Sequence, residues 1–124
     1  MKKRILQFRM KTEMMIMLLL VVAGMTKVFA QNITVGDLNY SVNSDGTTVT
    51  IRGHVDGTSA SGTLAIPPSI SYEGNLYAVT AISGYSFHNC VGLTGAITLP
   101  NSIVTIGDNA FNGCTNISEL TIGE

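Results

Sequence analysis

The sequence predicts a mainly β protein, organised as a short solenoid of repeats with a β-hairpin cap at its N-terminal end. The first observation is a pattern of isoleucine, phenylalanine, cysteine and leucine or isoleucine that occurs twice at an offset of 24 residues. A fixed period in the twenties is typical of stacked supersecondary units. The second is composition, because charged residues make up only 12% of the chain, whereas threonine, serine, glycine and asparagine are abundant. This composition favours short strands and tight turns over helices.

Residues 1–30 are typical of a signal peptide for export. An apolar run of 10 residues occupies positions 14–23. Five basic residues precede it, namely Lys2, Lys3, Arg4, Arg9 and Lys11. The run is too short to span a bilayer, which needs about 20 apolar residues, and falls within the roughly 7 to 15 expected of a signal peptide. The small residues Val28 and Ala30 predict cleavage between Ala30 and Gln31. An uncleaved anchor, and a start at Met10 instead of Met1, stay open as alternatives.

Removal of residues 1–30 would leave an acidic chain. Residues 31–124 carry one basic residue, Arg52, against seven acidic ones, a net charge of −6. Nucleic acids are bound mainly through lysine and arginine, so we expect no nucleic-acid partner. We also expect no membrane span after cleavage, and a secreted, periplasmic or cell-surface location.

Residues 31–62 are predicted to form the β-hairpin cap and the loop that follows it. Apolar residues alternate with polar ones from Ile33 to Val42 and again from Val49 to Val55, on either side of the polar turn at residues 43–46. A cap is expected because the first repeat of a solenoid would otherwise expose a hydrophobic edge. Residues 56–62 form either a loop into the first repeat or a free glycine- and serine-rich linker.

Residues 63–124 hold the two copies of the pattern and are predicted to form the solenoid. Each copy leads into a strand-like run, Ile97-Thr-Leu99-Pro100 in the first and Leu120-Thr-Ile122 in the second. An earlier run, Leu64-Ala-Ile66-Pro67, matches the first of these and predicts a third rung. The alternating residues 70–79, around a turn at residues 73–75, predict a small hairpin inserted between the first two rungs.

Twelve residues are predicted to form a core ladder: Ile82, Phe87, Cys90, Leu93, Ile97, Leu99, Ile106, Phe111, Cys114, Ile117, Leu120 and Ile122.

The segment from Ile106 to Ile122 resembles the repeat of the BspA-like leucine-rich repeat family of bacterial surface proteins. The earlier copy, from Tyr85 to Pro100, is similar, with Ser86 where the later copy has Ala110. The resemblance covers residues 64–124 and implies a leucine-rich-repeat-type solenoid of about two full units. It also implies a secreted or surface-attached bacterial protein, for which adhesion to host proteins or to other cells is the usual proposal.

Cys90 and Cys114 occupy equivalent positions of the two copies. Equivalent strand positions lie about 4.8 Å apart, within the roughly 4.4 to 6.8 Å between the Cα atoms of bridged cysteines. A disulfide and a ladder of buried free thiols are therefore both open, and the core register favours the thiols. Two sulfur atoms alone make no zinc site.

No catalytic, metal-binding or cofactor-binding residue is predicted. Gly84-Tyr-Ser86-Phe-His88 misses the last glycine of a nucleophile elbow, and the residues from Asp108 to Glu119 lack a ligand at the third position of a calcium loop. His54 and His88 have no carboxylate at a motif spacing, and we expect both to face solvent. A glycosidase is the weakest hypothesis, because no motif pairs two carboxylates.

The outward positions of the rungs are the candidate binding face: Ala65, Thr98, Ser118, Glu119 and Thr121. Repeat solenoids bind through such extended surfaces, so we expect a non-catalytic protein-binding or adhesion protein whose ligand is a host or cell-surface protein. The alternative is the N-terminal fragment of a longer repeat protein. We also expect self-association through the unpaired edge at residues 120–122.

Overall fold

The computed structural model describes residues 31–123. The signal peptide predicted for residues 1–30, and the Ala30 side of its cleavage site, lie outside the described residues. Among residues 31–123 no helix is both long enough and apolar enough to cross a membrane. Eleven elements follow one another in this part of the chain: β1 (Asn32–Val35), β2 (Leu38–Val42), β3 (Thr48–His54), a 3-10 turn (Gly57–Ser59), β4 (Ser61–Gly62), β5 (Ser69–Tyr72), β6 (Asn75–Ile82), β7 (Gly92–Leu93), β8 (Gly95–Leu99), β9 (Thr105–Ile106) and β10 (Ile117–Ile122).

The N-terminal region is a three-stranded meander, which corrects the expected two-stranded hairpin. β1, β2 and β3 pair antiparallel in chain order. The extra turn lies at Gly36 and Asp37, where Gly36 adopts a φ of +60°. The second turn is held by Asp45, whose carboxylate accepts the N–H groups of Thr47 and Thr48 at 2.8 and 2.9 Å. Alternation alone missed the first turn because the apolar pattern continues on both sides of it.

β5 and β6 form the hairpin expected at residues 70–79. They pair antiparallel from Tyr72 with Asn75 to Ser69 with Ala78. The connection is the two-residue turn Glu73-Gly74, with φ values of 48° and 80°, as in the tight turns that suit a twisted hairpin. The main sheet therefore has the strand order β1-β2-β3-β6-β5, with β9 also paired to β6.

Parallel pairs connect successive turns of the chain. β3 pairs with β6 and β6 with β9, so that Ile51, Ile82 and Ile106 lie side by side. β4 pairs with β7, and β8 with β10. Residues 56–62 are therefore no free linker, since they contain both the 3-10 turn and β4. The alternative that they form a flexible connection is wrong.

Gly92 shows how closely β4 and β7 approach. A Cβ atom at this position would lie 2.5 Å from the carbonyl oxygen of Ala60. Only glycine fits such a contact without a backbone shift. The parallel pairing of these two short strands thus depends on a missing side chain.

The core lies between the meander, β6, β7 and β8. Ile82, Phe87, Cys90, Leu93, Ile97 and Leu99 from the predicted ladder are buried there. Leu64 and Ile66 are buried as well, although residues 63–67 belong to no strand. The side chains of these two residues are buried, as the third rung predicts, but the backbone of this segment does not pair with any strand of residues 31–123.

The later copy keeps its register but not its burial. Ile106 is 41% exposed, Leu120 44% and Ile122 67%, whereas Phe111, Cys114 and Ile117 are half-buried. Placing Ile106, Leu120 and Ile122 in the core is therefore corrected by the structure. The physical reason is that no residue of the described part packs over the outer side of this last layer.

Candidate functional site

Two equivalent turns, residues 84–89 and 108–113, lie one against the other. The N–H groups of Phe87 and Asn89 donate to the carbonyl oxygens of Ala110 and Asn112, each at 2.8 Å. The rings of Phe87 and Phe111 stack with centroids 5.2 Å apart and planes 12° from parallel. This stacking of equivalent rings is the arrangement of a core ladder, and it leaves no open aromatic platform at Phe87.

The turns share an unusual backbone conformation at matching positions. Tyr85 and Asn109 have φ values of 59° and 58°, and Asn89 and Gly113 have 58° and 82°. Asparagine and glycine tolerate this left-handed region better than other residues. The side-chain amide of Asn109 donates to the hydroxyl of Tyr85 at 3.1 Å. No polar pair was predicted here, although Tyr85 and Asn109 stand at the offset of 24 residues that relates the two copies.

Cys90 and Cys114 are free thiols. The Cys90 Sγ atom donates to the carbonyl oxygen of Gly57 at 3.4 Å, and Cys114 Sγ donates to that of Phe87 at 2.8 Å. Burial, and then the neighbouring Cys114, raises the pKa of Cys90, and burial also raises the pKa of Cys114. Protonated thiols of this kind are weak nucleophiles, so the pair has the character of core packing.

The two histidines are more shielded than expected. The His54 side chain is 10% exposed; its Nδ1 atom accepts the N–H of Asp56 at 3.1 Å and lies 3.6 Å from the Asp56 carboxylate. His88 packs edge-on against Tyr85 with ring centroids 5.3 Å apart, and its Nδ1 atom is buried without a hydrogen-bond partner among the described residues. The expectation that both face solvent is corrected, since both residues are only partly exposed.

Ser86 has a structural environment. Its hydroxyl oxygen lies 2.7 Å from the carbonyl oxygen of Ser83 and 3.1 Å from that of Ile51, either of which can accept its one hydrogen, and 2.7 Å from the Ser83 hydroxyl. These bonds connect the turn to β3. No histidine appears among these hydrogen-bond partners, so the elbow-like sequence around Ser86 serves to join two layers.

The predicted binding face lies on the outer side of the pair β8 and β10. Thr98 pairs with Thr121, and their hydroxyl oxygens are 3.2 Å apart. Glu119 pairs with Ala96, and both side chains are exposed. Ser118 is exposed at a bulge, where the register shifts between Ile117 and Glu119. The structure thus brings Thr98, Ser118, Glu119 and Thr121 onto neighbouring strands.

Ala65 is also exposed but lies outside that pair of strands. It belongs to the extended segment 63–67, which borders a crevice of about 400 Å³. The other walls are the turn between β1 and β2, His54 and Leu93. Most of the lining is apolar, because the side chains of the segment alternate toward the core.

A shallower depression of about 240 Å³ lies on the uncovered last layer. Its walls are Phe111, Cys114, Ile117, Ser118, Glu119 and Leu120. The depression therefore combines half-buried apolar side chains with the polar bulge of β10. It adjoins the candidate binding face through Ser118 and Glu119.

A family model described as a BspA-type leucine-rich repeat region of six copies matches residues 69–124. No curated protein matches this chain. Among solved structures, the chain is similar to a leucine-rich repeat protein from Bacteroides capillosus, with 28% identity and a TM-score of 0.61 over 74% of this chain and 65% of that one.

Two longer proteins are similar as well. A leucine-rich cell surface protein from Faecalibacterium prausnitzii shares 25% identity, with a TM-score of 0.65 over 78% of this chain and 24% of that one. A leucine-rich repeat protein from Bacteroides ovatus shares 25% identity, with a TM-score of 0.63 over 71% of this chain and 22% of that one. The chain thus spans less than two thirds of each of these structures.

Proposed function

Because residues 69–124 match the BspA-type leucine-rich repeat model, we propose that the chain is an exported, non-catalytic protein that binds proteins or mediates adhesion at the bacterial surface. Its ligand would be a host or cell-surface protein. Proteins of this architecture work through surfaces built by successive repeats. The function is therefore assigned to a face of the fold, with no reactive group.

The observation that carries this proposal is the register of β8 and β10. Thr98 and Thr121 lie side by side, and Glu119 lies beside Ala96. Small polar side chains on paired strands give a flat surface with hydrogen-bonding groups at its centre. Such a surface suits a protein partner better than a small molecule, which is normally bound in a concave pocket.

We also propose that the repeats are arranged as a solenoid. The parallel pairs β3 with β6 and β9, β4 with β7, and β8 with β10 would be its sides, with a period of 24 residues between the two copies. The meander of β1 to β3 would close its first turn. Export is supported by the basic and apolar segments of residues 1–30 and by the description of one similar structure as a cell surface protein.

A binding assay with matched surface variants tests the proposal. The purified exported chain is labelled and titrated onto intact host cells, bacterial cells and purified extracellular proteins. The variant Thr98→Lys with Ser118→Lys changes the proposed face, and Ser44→Lys with Thr58→Lys changes exposed turns elsewhere by the same number of lysines and the same charge. We expect the first variant to lose at least tenfold in affinity and the second to bind as the unchanged chain does.

Circular dichroism would first establish that both variants unfold at the temperature of the unchanged chain. Saturable binding that both variants weaken equally, or that neither weakens, would refute the assignment to this face. Absence of saturable binding to every surface would refute the proposed function itself. Amino-terminal sequencing of the secreted product should give a sequence that begins at Gln31.

A further inference from the structure

β10 has one paired side and one open side. β8 occupies the first side, and no strand of residues 31–123 pairs with the second. We propose that this open edge is a dimer interface, at which two copies of the chain join their β10 strands antiparallel about a two-fold axis at Thr121. The proposal rests on the edge alone and does not depend on the proposed function.

The backbone of β10 determines which groups face the open side. The N–H of Gly123 donates to the carbonyl oxygen of Leu99 at 2.7 Å, so Gly123 and, two residues earlier, Thr121 direct their peptide groups toward β8. Alternate residues of a strand point their peptide groups to opposite sides. The N–H and C=O groups of Leu120 and Ile122 therefore point outward.

This alternation selects one register for antiparallel pairing. With the two-fold axis at Thr121, Leu120 lies opposite the partner's Ile122, and by symmetry Ile122 lies opposite the partner's Leu120. Directly opposite residues of a hydrogen-bonded antiparallel pair exchange both of their peptide hydrogen bonds. Both outward-pointing residues of each copy are then satisfied.

The side chains agree with the same register. Leu120 and Ile122 are 44% and 67% exposed. In this register the Leu120 side chain of each copy would pack beside the Ile122 side chain of the other, and both would lose exposed surface. Glu119 would lie opposite the partner's Gly123, so the Glu119 carboxylates of the two copies do not face each other. An axis at Leu120 would instead place Ile122 opposite the partner's Ser118, within the bulge where the register is irregular.

From Leu120 to Ile122 the edge carries no bulge, charge or proline that would keep an exposed strand from pairing. Proteins commonly protect edges with lysine or proline, whereas residues 31–124 contain no lysine and β10 contains no proline. Its one charged residue is Glu119. Dimerisation would join β8 and β10 of both copies into one four-stranded sheet, since each copy contributes two strands. This sheet would present the candidate binding face twice.

Like charges at the axis test the proposal. Thr121→Lys would place two lysines directly opposite each other, which destabilises a strand pair. Thr98→Lys adds the same charge on the adjacent strand but away from the axis, so it is the matched control. In an acidic chain either lysine lowers the overall repulsion between copies, so a loss of dimer in Thr121→Lys alone must be local.

The association state of the purified exported chain is measured by sedimentation velocity over a range of concentrations. We expect the unchanged chain and Thr98→Lys to dimerise, and Thr121→Lys to raise the dissociation constant at least tenfold. A monomer in the unchanged chain up to about 1 mM would overturn the proposal. Equal association of the two lysine variants would overturn it as well.

A crosslinking experiment locates the axis directly. Opposite residues of a non-hydrogen-bonded antiparallel pair have Cα atoms about 4.5 Å apart, within disulfide range. With an added copper oxidant, two copies of Thr121→Cys should lose two thiol protons and pass two electrons to the copper as one S–S bond forms. Thr98→Cys, which retains the same native thiols, should remain monomeric in a non-reducing gel. Equal crosslinking of the two variants would refute the two-fold axis.

Discussion

Truncation of Phe87 should destabilise the chain far more than truncation of its repeat partner Phe111. The Phe87 ring is fully buried and Phe111 is only partly buried, although the rings stack at 5.2 Å. Replacing a buried phenylalanine by alanine costs about 3 to 5 kcal/mol, from lost burial and from the cavity that remains. Water can fill the space left at Phe111, so we expect its loss to cost roughly 1 to 2 kcal/mol.

The stacked pair should also be measurable as a coupling. Aromatic pairs contribute about 0.5 to 1.5 kcal/mol beyond the area they bury. Once one ring is removed, removal of the other no longer breaks the stack. The double variant should therefore cost less than the sum of the single variants by about 1 kcal/mol.

Urea unfolding followed by far-ultraviolet circular dichroism gives these free energies. The measurements belong at a low protein concentration, where a second copy cannot cover Phe111. Because Phe87→Ala could unfold the chain entirely, Phe87→Leu serves as a milder variant. Leu76→Ala, at a side chain that is 72% exposed, is the control and should change stability by less than about 0.5 kcal/mol. A cost for Phe111→Ala equal to that for Phe87→Ala would refute the view that the last layer is uncovered.

Three further predictions concern the backbone and the core. Gly92→Ala should lower the free energy of unfolding by about 1 to 3 kcal/mol, because the new Cβ atom meets the Ala60 carbonyl oxygen; an unchanged urea midpoint would contradict this. Tyr85→Asn should raise it by about 0.5 kcal/mol, because asparagine tolerates the φ of 59° better, and a lower midpoint would show that the tyrosine hydroxyl contact matters more. Burial raises the pKa of Tyr40 to about 12, so the folded state keeps this proton longer than the unfolded state, and stability should fall as pH rises from about 10 to 12. Tyr40→Phe should show a smaller fall over that range, and an identical fall would exclude Tyr40 as its source.

The sequence predicted the contacts between the two full copies because both carry large, distinctive residues. Phenylalanine and cysteine are rare in this chain, so their recurrence at one offset is easy to recognise. The structure places Phe87 against Phe111 and pairs Ile82 with Ile106. The inserted hairpin was also predicted, since alternation and a turn dipeptide act locally.

The part of the earlier layer at residues 57–62 escaped prediction because its residues are small, whereas the run from Leu64 to Pro67 was expected as a rung. Ile51 pairs with Ile82, and Ser61 pairs with Gly92, but this layer has neither the phenylalanine nor the cysteine of the later copies. Gly57 supplies a carbonyl oxygen to the Cys90 thiol instead of a side chain. Backbone atoms carry these contacts, and a residue pattern does not record them.

Strands β8 and β10 show that the direction of a side chain and its burial are determined separately, although a repeat pattern suggests both together. Ile97 pairs with Leu120, and Leu99 with Ile122, so both strands direct their apolar residues to the same side. Yet Ile97 and Leu99 are fully buried, whereas Leu120 and Ile122 are substantially exposed. The sequence of a strand determines which side chains point inward, and the next layer determines whether they leave water. At the usual gain of about 25 cal/mol per Å² of apolar surface covered, this last layer gains free energy from any partner whose strand matches its register.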